Sequence, residues 1–157
     1  MSDLRIGLGI DAHAFADGVP LVLGGVSFDH PRGLAGHSDG DVITHALIDA
    51  LLGAAGLGDI GSLFPSDEST PAGIDSLDLL RDVHARVTKA GYDVVNADCV
   101  LIGQEPRIAE RRAELEAKLS EMVGAPVSVR ATTTDHLGFT GRGEGLAAQA
   151  VALLEAK

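Results

Sequence analysis

The chain has no tryptophan and one tyrosine in 157 residues, so aromatic stacking cannot be its main means of holding a base or a sugar. It has a single cysteine, Cys99, inside the apolar run Cys99-Val100-Leu101-Ile102. One thiol supports neither a disulfide framework nor a thiolate zinc cluster, and this one is expected to be a small core residue. Basic residues are scarce: 12 Lys and Arg against 23 Asp and Glu give a formal net charge of −11. That balance argues against general nucleic-acid binding, which needs a basic footprint. It also means that a site for an anionic substrate must overcome a repulsive overall field with metals, helix N-termini and a few placed cations. No apolar run approaches a membrane span, and the N-terminus lacks the pattern of a secretory signal, so a cytoplasmic location is expected.

What is present is enough chain for one domain, residues 1–157, with a core of real size. Leu4–Asp11 reads as a strand, and Pro20–Phe28 as a second extended segment broken at Gly24-Gly25. Ser38 or Asp39 is the expected N-cap of a helix through Leu52, with Ile43, Ala46, Leu47, Ala50 and Leu51 inward and Gly53 as its stop. Residues 56–72 read as a long loop. Asp75 or Ser76 caps a helix to Ala90, with Leu77, Leu80, Val83 and Val87 inward. Asp93–Ile102 is the strongest strand, Pro106 opens a helix to Val123, and Val127–Thr132 is a further strand. Thr133–Gly145 reads as a polar loop and Gly145–Ala156 as a closing helix of small residues. The order predicts an α+β fold, a mixed four- to five-stranded sheet with helices packed on one face in a two-layer sandwich.

The densest chemistry lies in Ala35–His45, which gathers two imidazoles and two carboxylates at the start of a helix. Asp11-Ala12-His13 supplies another carboxylate and imidazole, on one side of a strand because side chains alternate with a period of two. Asp11, His13 and His45 make an Asp-His-His set that leaves a zinc ion net positive charge and an open fourth position, suited to a phosphoryl oxygen. His37 and Ser38 lie just upstream, where free N–H groups and the helix dipole favour an anion. Asp41 is expected to support the ligands or face substrate. The competing reading is of capping carboxylates with core or solvated histidines. Against it, His45 sits beside the apolar stripe, where an imidazole without a partner is costly.

Thr132–Gly145 is the second signal. Its threonines and glycines offer hydroxyls and free N–H groups to phosphates, and Arg142 lies between glycines where its planar fork can reach an anion. An ordinary glycine-rich turn is the alternative, and Gly141-x-Gly143-x-Gly145 matches a dinucleotide fingerprint only superficially. Gly103-Gln104-Glu105-Pro106-Arg107 joins a strand to a helix start, a common ligand position. Arg111 and Arg112 read as solvated charges, and His30 and His84 as structural or surface residues.

These motifs resemble those of the 2-C-methyl-D-erythritol 2,4-cyclodiphosphate synthase family of non-mevalonate isoprenoid synthesis. Gly9–His13 matches its G-x-D-x-H, and His37–Asp41 with His45 its H-S-D-G-D-x-x-x-H. Leu57–Gly61 with Phe64-Pro65, and Ala131–Thr134 with Gly138–Gly145, match its remaining motifs in order. The resemblance implies a homotrimer with active sites between subunits, and Asp11, His13 and His45 as zinc (or other divalent transition metal) ligands. It implies substrate contacts at Asp11, His13, His37, Ser38, Asp59 and Gly61. The cytidine and diphosphate pocket of the adjoining subunit would then be formed by Gly103, Gln104, Glu105, Pro106, Arg107, Ala131, Thr132 and Thr133. Phe139 and Arg142 would meet substrate, and His37, Thr133 and Asp135 would be catalytic, with Mg²⁺ or Mn²⁺ bridging the substrate diphosphate. The implied reaction is metal-assisted intramolecular phosphoryl transfer on 4-diphosphocytidyl-2-C-methyl-D-erythritol 2-phosphate with release of CMP, the work of a cyclising phosphorus-oxygen lyase. Asp135-His136 stands where Glu-Lys is frequent, Arg107 where Lys is frequent, and Ser66 where an acidic residue is common. The rivals are a metal-dependent nucleotide-diphosphate hydrolase, a non-catalytic trimeric module binding an isoprenoid diphosphate at Phe139 and Arg142, and a structural zinc site closed by Asp41.

Overall fold

A computed structural model describes residues 3–157. A five-stranded mixed sheet runs in the order β4-β1-β7-β5-β6, beside a small hairpin of β2 and β3. The strands are β1 (Leu4–Asp17), β2 (Leu21–Leu23), β3 (Val26–Phe28), β4 (Arg32–Leu34), β5 (Tyr92–Ile102), β6 (Val127–Thr132) and β7 (Gly145–Ala156). The helices are α1 (Val42–Ala55), α2 (Ile60–Leu63), α3 (Ser76–Lys89), α4 (Arg112–Val123) and α5 (Gly138–Gly141). The α+β class, the mixed sheet and the helical layer follow the sequence expectation, and Gly24-Gly25 does turn the β2–β3 hairpin.

The last segment departs most. Gly145–Ala156 is a strand, not a helix, and it lies inside the sheet, antiparallel to both β1 and β5. Leu146, Ala148, Ala150, Ala152 and Leu154 are buried on one face while Gln149 and Val151 point away. Alanine favours a helix in isolation, but the sheet needs small side chains under α1, and that tertiary demand outweighs propensity.

β1 also outruns its expected end at Asp11. It pairs with β7 as far as Ala14 and with β4 from Phe15 to Asp17, so Asp11 and His13 sit mid-strand. Gly7 and Gly9 precede them on the helix-facing side. A Cβ on Gly9 would stand 1.8 Å from the Ala46 carbonyl oxygen, and one on Gly7 1.9 Å from that of Ala50. The absent side chains let α1 lie against the strand, which carries the first turns of α1 over Asp11 and His13.

α1 is capped by Asp41 rather than by Ser38 or Asp39, and it passes Gly53 to end at Gly56, whose φ of 71° closes the helix in the left-handed region. Nearly every residue of α1 is buried, because it touches the sheet on one side and α3 on the other. α3 begins behind Asp75 as expected. α4 starts at Arg112, after a 3₁₀ turn at Ala109–Arg111, so Pro106 belongs to the preceding loop and not to a helical first turn. The segments expected as loops each hold a short helix, α2 and α5. Cys99 is fully buried in the core, where burial, with lesser contributions from Asp98 and Asp41, pushes its thiol up to about 12.

Candidate metal centre and adjoining cavities

Asp11 and His13 rise from β1, and His45 descends on them from the first turn of α1. Asp11 Oδ2 lies 2.8 Å from His13 Nε2 and 3.1 Å from His45 Nδ1, and the two imidazole nitrogens are 3.3 Å apart. On a tetrahedron with metal–nitrogen bonds of roughly 2.0–2.1 Å, neighbouring donors stand about 3.3 Å apart. The His13–His45 separation matches that spacing, and both Asp11 separations are shorter, at hydrogen-bonding distance, so the carboxylate would have to open slightly from the imidazoles for the three residues to hold a metal ion. The fourth position faces a cavity of about 160 Å³ lined also by His37, Ser38, Gly61, Phe64 and Thr70.

The electrostatics match the donor set. Burial alone would raise the Asp11 carboxyl, but hydrogen bonds from His13 and His45 outweigh it and hold the group at about 2. The same hydrogen bond to Asp11 raises His13 above the ordinary imidazole range, against the opposing effect of burial. A negative oxygen thus stands ready for a cation, and protons compete with metal at His13.

His37 reaches the cavity wall, and its Nε2 lies 2.6 Å from the Thr70 carbonyl oxygen. The backbone N–H of Gly73 donates in turn to the His37 carbonyl at 2.7 Å, so the 64–74 segment is tied over the cavity. Ser38 lines the same cavity, with its Oγ 2.9 Å from His45 Nε2. Asp59 does not line it. It caps α2 by accepting from the Ser62 N–H at 2.8 Å, and the short helix that follows sets Gly61 on the wall.

Asp41 neither faces substrate nor completes the metal shell. It is fully buried and accepts from the N–H groups of Gly24, Gly25 and Thr44 and from the Thr44 hydroxyl, at 2.7–3.1 Å. Burial raises its carboxyl, and those donors oppose the shift. It anchors the β2–β3 hairpin to the start of α1. Two residues beside the cluster entered the sequence reading only as cap candidates or motif members, with no role at His45: Ser76, whose Oγ is 2.8 Å from His45 Nε2, and Asp39, which accepts from both the Ser76 hydroxyl and the Ser76 N–H. The signal available was Asp39 within H-S-D-G-D and a serine at the first position of α3.

The second group of expected residues gathers elsewhere. Gly103, Gln104, Pro106, Arg107, Ala131, Thr132 and Thr133 line a cavity of about 270 Å³ at the ends of β5 and β6. Glu105, Arg107, His136 and Arg142 border a neighbouring cleft of about 450 Å³ with Arg32. Asp135 and Phe139 are exposed nearby, Asp135 with a φ of 52° and its N–H donating to Thr133 Oγ1 at 3.3 Å. Within one chain these cavities share no lining residue with the metal-centred one, so His37 and Thr133 are not brought together.

An α+β domain with an Asp-His-His cluster that could hold a metal ion beside one cavity, and a separate cavity at parallel strand ends, has the form of an enzyme with room for a metal ion. The chain belongs to the YgbB family, which it matches over residues 4–155. A 2-C-methyl-D-erythritol 2,4-cyclodiphosphate synthase from Marinobacter nauticus is 54% identical over 98% of both chains. The structure superposes on that of the bifunctional IspDF from Campylobacter jejuni with a TM-score of 0.95 and 36% identity, over all of this chain and 43% of that one. It superposes on the CDP complex of IspF from Plasmodium falciparum with a TM-score of 0.86 and 32% identity, over 100% and 99% of the two chains.

Proposed function

We propose that this chain, as a single domain of residues 1–157, converts 4-diphosphocytidyl-2-C-methyl-D-erythritol 2-phosphate to 2-C-methyl-D-erythritol 2,4-cyclodiphosphate and CMP. The observation that carries the reading is the Asp11-His13-His45 triangle opening on the cavity that also holds His37 and Ser38. Whole-length likeness to a named synthase of that reaction supports it. An oxygen of the 2-phosphate bonds to the β-phosphorus, the bond from that phosphorus to the bridging α–β oxygen breaks, and CMP leaves with the electron pair. Attacking and leaving groups are both phosphates, so little proton transfer is needed, and positioning with charge neutralisation carries the rate. Asp11, His13 and His45 would hold a zinc or similar ion, and Asp135 is the carboxylate near which Mg²⁺ or Mn²⁺ on the substrate diphosphate would lie; together the ions would supply the positive charge that the phosphoryl oxygens need.

The chain's own groups do the rest. His37 donates from Nε2 to the Thr70 carbonyl, which keeps the 64–74 segment over the cavity against water and leaves Nδ1 as the nitrogen available to substrate. The Ser38 hydroxyl and the Gly61 N–H face the methylerythritol phosphate, with Asp59 fixing the turn that carries Gly61. Thr133 at the end of β6 offers its hydroxyl to the diphosphate. Gly103, Gln104, Pro106, Arg107, Ala131 and Thr132, with Glu105 from the neighbouring cleft, form the cytidine side of the site, with backbone and small residues in place of stacked rings.

The catalytic unit is a homotrimer in which the metal-centred cavity of one copy faces the β5–β6 cavity of the next. Its support is the apolar outer face of β1, where Ile6, Leu8 and Ile10 are 74%, 60% and 58% exposed beside Val151 of β7. Among the described residues no helix is long and apolar enough to cross a membrane. A multiply charged nucleotide substrate, which does not cross a bilayer unaided, supports a cytoplasmic location.

The test is ³¹P NMR of the protein with substrate, Mg²⁺ and Zn²⁺, beside a His45→Ala variant. A cyclic diphosphate with CMP, lost in the variant, is the expected result. A linear phosphate with CMP would make the chain a hydrolase, and binding without CMP would leave a non-catalytic module.

A further inference from the structure

Ser76 and Asp39 lie outside the residues assigned to metal or substrate, yet they end a directed chain of hydrogen bonds on a metal ligand. Asp39 Oδ2 accepts from the Ser76 N–H at 2.9 Å, and Asp39 Oδ1 accepts from the Ser76 hydroxyl. A carboxylate only accepts, so the Ser76 hydroxyl must point its proton at Asp39. The Ser76 oxygen is then left as an acceptor, 2.8 Å from His45 Nε2. Ser76 is fully buried and the His45 side chain is 8% exposed, so water does not compete for this contact.

We propose that Asp39 and Ser76 are positioning residues that hold the proton of His45 on Nε2 and so reserve Nδ1 for the metal. This rests on the metal-centre reading above. The ring has a second option, because Nδ1 also lies 3.1 Å from Asp11 Oδ2 and could keep a proton there. An acceptor aimed at Nε2 decides which proton stays when a metal takes Nδ1. Partners of this kind on the far side of a ligating imidazole typically change metal affinity by about 10- to 100-fold.

The relay has a consequence at the substrate side. The Ser38 oxygen is 2.9 Å from the same Nε2. Because Nε2 carries a proton, it cannot accept one from Ser38. The Ser38 hydroxyl proton is therefore turned away from the ring, into the cavity that Ser38 lines, where a phosphate oxygen would accept it. One carboxylate at the far end thus sets the direction of every donor from Asp39 to the substrate.

The experiment measures zinc affinity by chelator competition in wild type, Ser76→Ala and Ser38→Ala. The His45 Nε2–H resonance of the zinc-loaded, ¹⁵N-labelled proteins is followed in parallel. Ser76→Ala is expected to bind zinc about 10- to 100-fold more weakly and to move the Nε2–H resonance upfield with faster exchange. Ser38→Ala is expected to keep zinc affinity within about twofold while turnover falls, since the relay's acceptor remains. Equal affinity in wild type and Ser76→Ala, or a loss in Ser38→Ala alone, overturns the relay and leaves the metal centre standing. Absence of zinc binding by wild type overturns the centre itself. Should Ser76→Ala fail to fold, the wild-type spectrum still decides: a solvent-exchanging Nε2–H on zinc-loaded His45 rejects the proposal.

Discussion

Between His37 and His45 four ionisable side chains share a few ångströms of space, and their work differs because each meets a different partner. His37 ties down a loop through Thr70, His45 points Nδ1 at Asp11, Asp39 takes the Ser76 hydroxyl, and Asp41 takes backbone donors. Only the last is wholly structural, and it is the one to remove first. Asp41→Ala would leave the buried N–H groups of Gly24, Gly25 and Thr44 without their acceptor, at an expected cost of about 2–4 kcal/mol in a denaturant titration. A change under 0.5 kcal/mol would mean that water reaches those groups. Cys99 gives a prediction in pH. Its folded thiol stands at about 12 against 9.0 unfolded, so between those values the native state holds a proton that the unfolded chain has lost. The linkage is therefore negative: this contribution is complete below pH 9 and declines by up to about 1.4 kcal/mol per pH unit above it. Denaturant midpoints at pH 8 to 11 should fall more steeply for wild type than for Cys99→Ala. Parallel slopes would show that the thiol is not the cause.

At the scale of elements, what could be read in the sequence divides by whether the deciding partner was local. Asp75 as a cap, the end of α3 near Ala90, and the β-branched and apolar run of β5 all act through near neighbours, and each stands where the residues suggest. The Asp11-His13-His45 cluster was legible for a similar reason, since a D-x-H on a strand and a histidine one turn into a helix have fixed directions. Three features were not. β7 is alanine-rich, and its strand state depends on α1 lying across it. Asp41 displaced Ser38 and Asp39 as cap because the distant Gly24-Gly25 turn also donates to it. Ser76 joins His45 across 31 positions of chain, which no spacing rule encodes. The packing of α1 on β1 is tested by alanine at glycines of opposite setting. Gly9→Ala places its Cβ inside the Ala46 carbonyl contact, and no shift of a flexible side chain relieves it. It is expected to cost more than about 3 kcal/mol and to deplete soluble protein. Gly53→Ala, on the exposed side of the same helix with nothing within 4 Å, should raise stability by about 0.5–1 kcal/mol. Similar effects from both would mean that the helix does not lie against Gly9.

For the whole molecule the question is why a chain carrying a net charge of −11 would leave its sheet apolar on the outside. Leu4, Ile6, Leu8 and Ile10 form an alternating row on β1, while the odd positions Gly7 and Gly9 lie under α1. An exposed apolar row of this kind marks an interaction face, and the proposed trimer would cover it. Association would also bring a metal-centred cavity to the β5–β6 cavity of another copy, which a single chain keeps apart. Leu8→Lys tests both statements together. Its side chain points away from the helical layer, so the fold and the Asp11-His13-His45 set should survive, with zinc binding retained. The variant should sediment as a monomer where wild type sediments as a trimer. CMP release should fall by more than about 100-fold, because the groups that position the two ends of the substrate no longer face each other. A monomeric Leu8→Lys with full turnover would show that one chain completes the site, and a monomeric wild type would show that the row serves some other contact.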